Sequence, residues 1–182
     1  RRQWPFPAEV PRGGDKAVAM ISVSSASMPA MPFSAETCVA MHIGDRLEQQ
    51  DRVGLFAHPK RPGIMLAVLA DGMGGHSGGA VAAEQVIMRA RQNLETYAPL
   101  HETPRDLLAS VIDEAHTVIK LTRFTSEKDP HSTAVAFLLQ QGKAYWAHCG
   151  DSRLYWFRGT DTAARSRDHS LVAELMRKGR LD

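Results

Sequence analysis

Asp51, Asp71 and Arg46 are the side chains whose types and spacing could do chemistry. Asp71 ends an unbroken apolar run, Ile64 to Ala70, and precedes Gly72-Met73-Gly74-Gly75-His76-Ser77-Gly78-Gly79. Apolar runs of this length bounded by turn residues read as buried strands. A carboxylate at the tip of such a strand is held rigidly, and the glycines leave its surroundings open, which is how a metal or phosphate site is mounted. The plainer alternative is a tight strand-to-helix turn with an N-capping aspartate. Asp51 opens another apolar segment, so antiparallel pairing of the two would bring both carboxylates to one end of a sheet. Two oxygen ligands plus main-chain carbonyls and water suit Mg²⁺ or Mn²⁺, not zinc. Gly72 could lend its carbonyl, since no side chain blocks approach. Arg46, five residues before Asp51, could supply the planar fork that grips a phosphate. The alternative is that Arg46 and Asp51 are solvated loop charges.

A nucleotide reading of the glycine loop is weaker. Gly72, Gly74 and Gly78 nearly fit a dinucleotide fingerprint, but no acidic residue ends a second strand about 20 residues on. The Asp71 charge would also repel a phosphate unless a cation intervened. Neither a Walker lysine nor paired-cysteine zinc spacing is present.

The elements that must position these residues follow from periodicity. Thr37–Ile43 and Asp51–Ala57 read as strands, with His58–Gly63 as a turn before the Ile64–Ala70 strand. Ala80, Ala83, Ile87, Ala90, Leu94 and Tyr97 form one helical stripe that Pro99 closes. Thr103-Pro104 opens a second helix with the stripe Leu108, Val111, Ala115, Ile119 and Thr122. Ser132–Leu139, Lys143–Cys149 and Arg153–Arg158 are joined by links so short that an antiparallel meander is expected. Asp168–Lys178 reads as a third helix, capped by Asp168 or Ser170 and followed by Gly179. Strands, two helices, strands and a helix predict an α+β layered fold rather than a parallel βαβ array. Residues 1–32, with prolines at 5, 7, 11, 29 and 32, read as a flexible tail or linker.

Bulk composition sets outer limits. The 182 residues are 43% hydrophobic and 23% charged, an ordinary globular balance. A net charge of +2 argues against a nucleic-acid surface despite the pI of 8.7. The apolar runs fall short of the ~20 residues a membrane helix needs. Cys38 and Cys149 could form one bridge, but their wide separation and apolar surroundings read rather as two buried thiols in a reducing cytosol.

Four separated segments then resemble, in order, the metal-dependent protein phosphatases of type 2C in their bacterial form. They are Gly44-Asp45-Arg46-Leu47-Glu48-Gln49-Gln50-Asp51, Ala70-Asp71-Gly72-Met73-Gly74-Gly75, Ser132-Thr133-Ala134 with His148-Cys149-Gly150-Asp151-Ser152-Arg153, and Asp168-His169-Ser170. The resemblance covers Phe33 to Leu181 and makes residues 33–182 the N-terminal part of such a domain. It implies an α-β-β-α sandwich of two antiparallel sheets flanked by helices, incomplete at the C-terminus. It also implies hydrolysis of phosphoserine and phosphothreonine in proteins, the substrates of a serine/threonine kinase, by water that two Mn²⁺ or Mg²⁺ ions about 3.5–4 Å apart activate. Asp51, Asp71 and the Gly72 carbonyl would hold those ions, Arg46 would orient the phosphate, and Asp151 matches a position that can help bind a third ion. Ser132 and Thr133 read as core strand residues, and His169 and Ser170 as the start of a helix. Two departures stand out. Met73 replaces the histidine of eukaryotic members, leaving protonation of the leaving group to metal-bound water or bulk acid, and His131 stands where glycine is common. Two later metal aspartates of the family's pattern are absent from these residues. The alternative reading is therefore a shortened pseudo-phosphatase that binds phosphoproteins without turnover.

Overall fold

The computed structural model describes residues 17–28, 31–74, 78–125 and 129–180. Its centre is a five-stranded antiparallel sheet in the order β3 (Asp51–Ala57), β4 (Ile64–Met73), β6 (Ala134–Gln140) and β7 (Lys143–Cys149), with β5 (His131–Ser132) pairing the end of β4. Alternation along β4 decides its faces. Ile64, Leu66, Val68 and Ala70 turn to one side and join Ala136 and Leu138 of β6. Helices α1 (Gly78–Thr96) and α2 (Pro104–Thr125) close over that side with Ala83, Val86, Ala90, Leu94, Leu107, Leu108, Val111 and Ala115. The helical stripes thus lie close to where their periods place them, that of α1 rotated slightly towards Ala82 and Val86. Thr103 caps α2 as expected: its hydroxyl accepts from Asp106 N–H at 3.2 Å while the Asp106 carboxylate accepts from Thr103 N–H at 2.9 Å.

The opposite end of the sheet is tied by a buried polar chain. His58 bridges Lys60 N–H and the Tyr97 carbonyl, and the Tyr97 hydroxyl donates to Gln140 Oε1 at 3.0 Å. With the smaller sheet of β1 (Ala17–Met28) and β2 (Met31–Met41), in which β1 lies against β3 and β4, this is the expected α+β layering.

Three expectations change. The stretch read as tail contains β1, paired antiparallel with β2 from Ala17↔Met41 to Met28↔Met31. The prolines bracket a proline-free run, residues 12–28, and Pro32 falls in the register shift between Ser25 and Met28, where no ladder N–H is required of it. Residues 1–16 and 29–30 lie outside the described residues. The meander stops after two strands. Of the three strands expected in it, only β6 and β7 pair as a hairpin in this sheet, because Gly150, at φ +99°, turns the chain away. The next strand, β8 (Tyr155–Arg158), pairs instead with β9 (Asp161–Arg165). Finally, Cys38 and Cys149 are free but exposed, each on a strand of a sheet's margin rather than in the core. The third helix, α3 (Leu171–Arg177), starts at its Ser170 cap as read.

Leu66 is fully buried between sheet and helices. Leu66→Ala is expected to cost about 2–5 kcal/mol of unfolding free energy in urea denaturation, because a packed core relaxes only partly around the lost atoms.

Candidate active site

The β3–β4 register places Asp51 directly opposite Asp71. Residues opposed in this way share a face of the sheet, so both carboxylates stand on the side away from the helices. Asp51 is 7% exposed. Asp71 holds its proton more tightly than an ordinary carboxyl, chiefly through burial and then through the Asp51 charge and hydrogen bond. The Asp151 charge adds to this and the Arg46 charge opposes it, so all four sequence-selected side chains act on one spot. Arg46 and Asp151 approach from exposed loops.

Each carboxylate is fixed by a different set of neighbours. At Asp51 the support is local: its N–H donates to Gln49 Oε1 at 3.1 Å, and Arg52 Nη1 donates to the Gln49 and Asp51 carbonyls, both at 2.8 Å. Arg52 Nε also reaches Glu84 of α1 at 3.1 Å, tying the strand's start to the helix. At Asp71 the support comes from residues 61 and 62 positions away. Its N–H donates to Thr133 Oγ1 at 3.0 Å, and its carbonyl accepts from Thr133 N–H at 2.9 Å and Ser132 Oγ at 3.2 Å. Thr133 is buried as expected, but as a polar clamp and not as inert core.

That clamp continues to the Asp151 loop. Thr133 Oγ1 and Ser152 Oγ are 2.7 Å apart, and a Cβ on Gly150 would press into the Thr133 side chain. The far side of the loop is pinned by the forked Arg153–Asp168 pair, with both N–O distances 2.7 Å, and by His169 N–H donating to the Gly150 carbonyl. The Arg153 fork also holds the Asp168 carboxyl below the usual range. His169 stacks on His148 at 4.3 Å, so it secures the loop as well as leading into α3. Sequence reasoning passed over Thr133, Ser152 and Arg52. The Ser132–Ala134, Gly150–Arg153 and Asp168–Ser170 segments were the signal that this neighbourhood mattered.

The glycines do the reverse of leaving space. Gly72 is buried, and a methyl there would overlap the Gly79 carbonyl oxygen and crowd the Gln50 carbonyl at 2.8 Å. They let the start of α1 close against β4. Asp71 is also not at the strand's tip, because β4 continues to Met73 through its pairing with β5.

A hard divalent cation fits the donor set, since two like charges held face to face are relieved by a positive ion and only oxygen is offered. Among the described residues no group of three or more His, Cys, Asp or Glu side chains could hold a metal ion, so Asp51 and Asp71 supply part of a coordination sphere.

The chain has recognisable relatives. Residues 34–173 match the family model for protein phosphatase 2C. The chain is 34% identical over 141 residues to the serine/threonine phosphatase stp of Listeria innocua and 30% identical over 138 to protein phosphatase PhpP of Streptococcus pneumoniae. Each alignment covers 75% of this chain and 55% of the relative. The fold is similar to the Streptococcus agalactiae serine/threonine phosphatase, with TM-score 0.65, 25% identity and coverage of 91% of this chain and 62% of that one. It is also similar, with TM-score 0.60 and 25% identity over 91% of this chain and 63% of that one, to the catalytic domain of PstP in complex with two manganese ions. The chain belongs to the protein phosphatase 2C family. It spans about half the length of the curated relatives it matches.

Two outcomes follow from the site's electrostatics and hydrogen bonds. Without metal, ionising Asp71 costs folded-state stability at neutral pH, and this penalty fades as pH falls through its raised value to the ordinary 3.8. Asp71→Asn should therefore melt higher than the wild type in chelator at neutral pH, with the advantage shrinking as pH falls through the raised value and gone by about 3.8. Thr133→Val strands the Asp71 N–H and should cost about 1–3 kcal/mol in urea denaturation, whereas Thr133→Ser should retain most of the stability.

Proposed function

We propose that this chain carries the front half of an active site that hydrolyses phosphoserine and phosphothreonine in proteins. The observation that carries the reading is the Asp51–Asp71 pair, set in register by β3 and β4 and lying within the fields of Arg46 and Asp151. Asp51, Asp71 and the Gly72 carbonyl would hold two divalent ions, Mn²⁺ or Mg²⁺, with Asp151 helping to hold a third. The two manganese ions in the PstP structure support this assignment. When bound, such ions supply Lewis acidity and a nucleophilic water at neutral pH.

The chain's own residues bind and orient. Arg46 offers a guanidinium fork to the phosphate oxygens, offsetting charge that builds on them as the P–O bond breaks. The Thr133 clamp and the Arg52 bridge keep the carboxylates from drifting, since small misplacements at such a site are costly. Residues that complete the metal spheres would come from the part of the relatives that this chain does not cover.

The substrates would be proteins phosphorylated by a serine/threonine kinase. A cytoplasmic setting accords with two exposed, unbridged cysteines. Among the described residues no helix is long and apolar enough to cross a membrane. A binding-only relative, freed from turnover, has no need of two mutually repelling carboxylates, yet both are kept and face each other here. Pairing of β1 with β2 extends the proposed domain back to Ala17.

In the whole protein, Asp71→Ala should abolish Mn²⁺-dependent phosphate release from a phosphothreonine peptide, and a chelator should do the same to the wild type. Unchanged release from the variant would refute the reading.

A further inference from the structure

His131 is an exposed imidazole at the mouth of the carboxylate site that the functional reading leaves without a task. It forms β5 with Ser132 and lies directly opposite Met73, two residues beyond Asp71 on β4. Side chains two apart along a strand share a face, as do directly opposed ones. His131 is therefore on the face of Asp71 and Asp51, diagonal to Asp71. Such diagonal neighbours are about 7–8 Å apart, within reach of a ring that meets a group bound between them. Met73, the residue nearest along the strand, has no proton to give.

Two contacts orient the ring. His131 Nδ1 is 2.9 Å from the Asp129 carbonyl, which can only accept, so Nδ1 carries a hydrogen and Nε2 is the atom left for exchange. The Asp129 carboxylate lies 4.0 Å from Nδ1, on the same side of the ring. The segment bearing Asp129 is itself packed on β4, because Gly74 has no side chain to hold it off. His148, on the same face two strands away, is committed elsewhere: Nε2 is bonded to the Arg167 carbonyl at 2.8 Å and its ring stacks on His169.

Hydrolysis of a serine or threonine phosphate expels a poor leaving group, an alkoxide, which must gain a proton as it departs. We propose that His131 is the general acid of this reaction, giving the Nε2 proton to the departing seryl or threonyl oxygen. The inference rests on the phosphatase reading above. Water forms the new bond to phosphorus and sheds a proton to solvent while the P–O ester bond breaks. The ester oxygen leaves as a hydroxyl with the imidazolium's proton, and solvent reprotonates the half-exposed ring, so the sum is ester plus water giving phosphate plus alcohol.

The test compares two leaving groups in the whole protein with saturating Mn²⁺. A phosphothreonine peptide needs the proton, whereas 4-nitrophenyl phosphate releases a stabilised phenolate and barely needs it. His131→Ala should lower kcat on the peptide by about 10²-fold or more, with a loss on the aryl ester about tenfold smaller. Mn²⁺ affinity, read by electron paramagnetic resonance, should match the wild type, and added imidazole should restore part of the peptide rate. Equal losses on both esters, no loss on either, or weakened Mn²⁺ binding would overturn the assignment. A wild type that turns over neither ester would instead overturn the phosphatase reading, and this inference with it.

Discussion

The antiparallel register of β3 against β4 is the constraint on which the rest depends. A strand that slips by one residue sends its side chains to the wrong face. Leu66, Val68 and Ala70 are fully or almost fully buried against the helices, so a slip would expose the whole row. Each such large side chain is worth about 1.5–3 kcal/mol in burial. Like charges directly opposed on a sheet cost only about 0.2–1 kcal/mol. Burial wins by a wide margin. The hydrophobic row thus forces Asp51 and Asp71 together against their own repulsion.

Holding two carboxylates in one place also requires their backbones to be held, and the ladder alone does not do this. Between β5 and β6 the regular pairing is interrupted at Thr133, opposite Asp71. The hydroxyl of Thr133 takes the Asp71 N–H in place of a strand carbonyl. Because the same hydroxyl meets Ser152, the interruption becomes a junction between the sheet and the Asp151 loop. The forked Arg153–Asp168 pair then fixes that loop to the turn before α3. A chain of hydrogen bonds of this kind polarises its members and resists partial loosening, so the third carboxylate is tied to the first two through backbone and hydroxyls.

Much of this was legible in the residues because the apolar periods are strong. β3 begins and ends where its pattern does, α1 and α2 follow their stripes, and the two aspartates meet because antiparallel pairing of the two apolar runs sets them opposite each other. Other parts carry weak local signals. β1 is built largely of small residues and serines, whose strand character depends on a partner rather than on a period. β9, Asp-Thr-Ala-Ala-Arg, is similarly mute, and so β8 looked like a third strand of a meander. The run Asp71-Gly72-Met73 reads as a turn because glycine usually ends strands, yet a two-residue partner, His131-Ser132, extends β4 through it. The hold of Thr133 on Asp71 spans 62 residues, and no spacing rule reaches that far.

The glycine pair at the start of α1 clarifies the charge balance of the site. Gly72 and Gly79 meet backbone to backbone, bringing the positive end of α1 up behind the carboxylates. A helix N-terminus favours nearby negative charge by about 0.3–1 kcal/mol, and Arg46 adds positive potential from its loop. Both push towards ionised carboxylates. Burial, Asp51 and Asp151 push the other way and prevail, as the raised proton affinity of Asp71 records. The chain therefore assembles more negative charge than its own cationic groups balance. A buried imbalance of that sign is relieved by taking up protons or by taking up cations. At neutral pH few protons are available, and oxygen donors held this rigidly select a hard divalent ion over a diffuse monovalent one. The same sheet register that buries the core thus creates the deficit that a metal would fill.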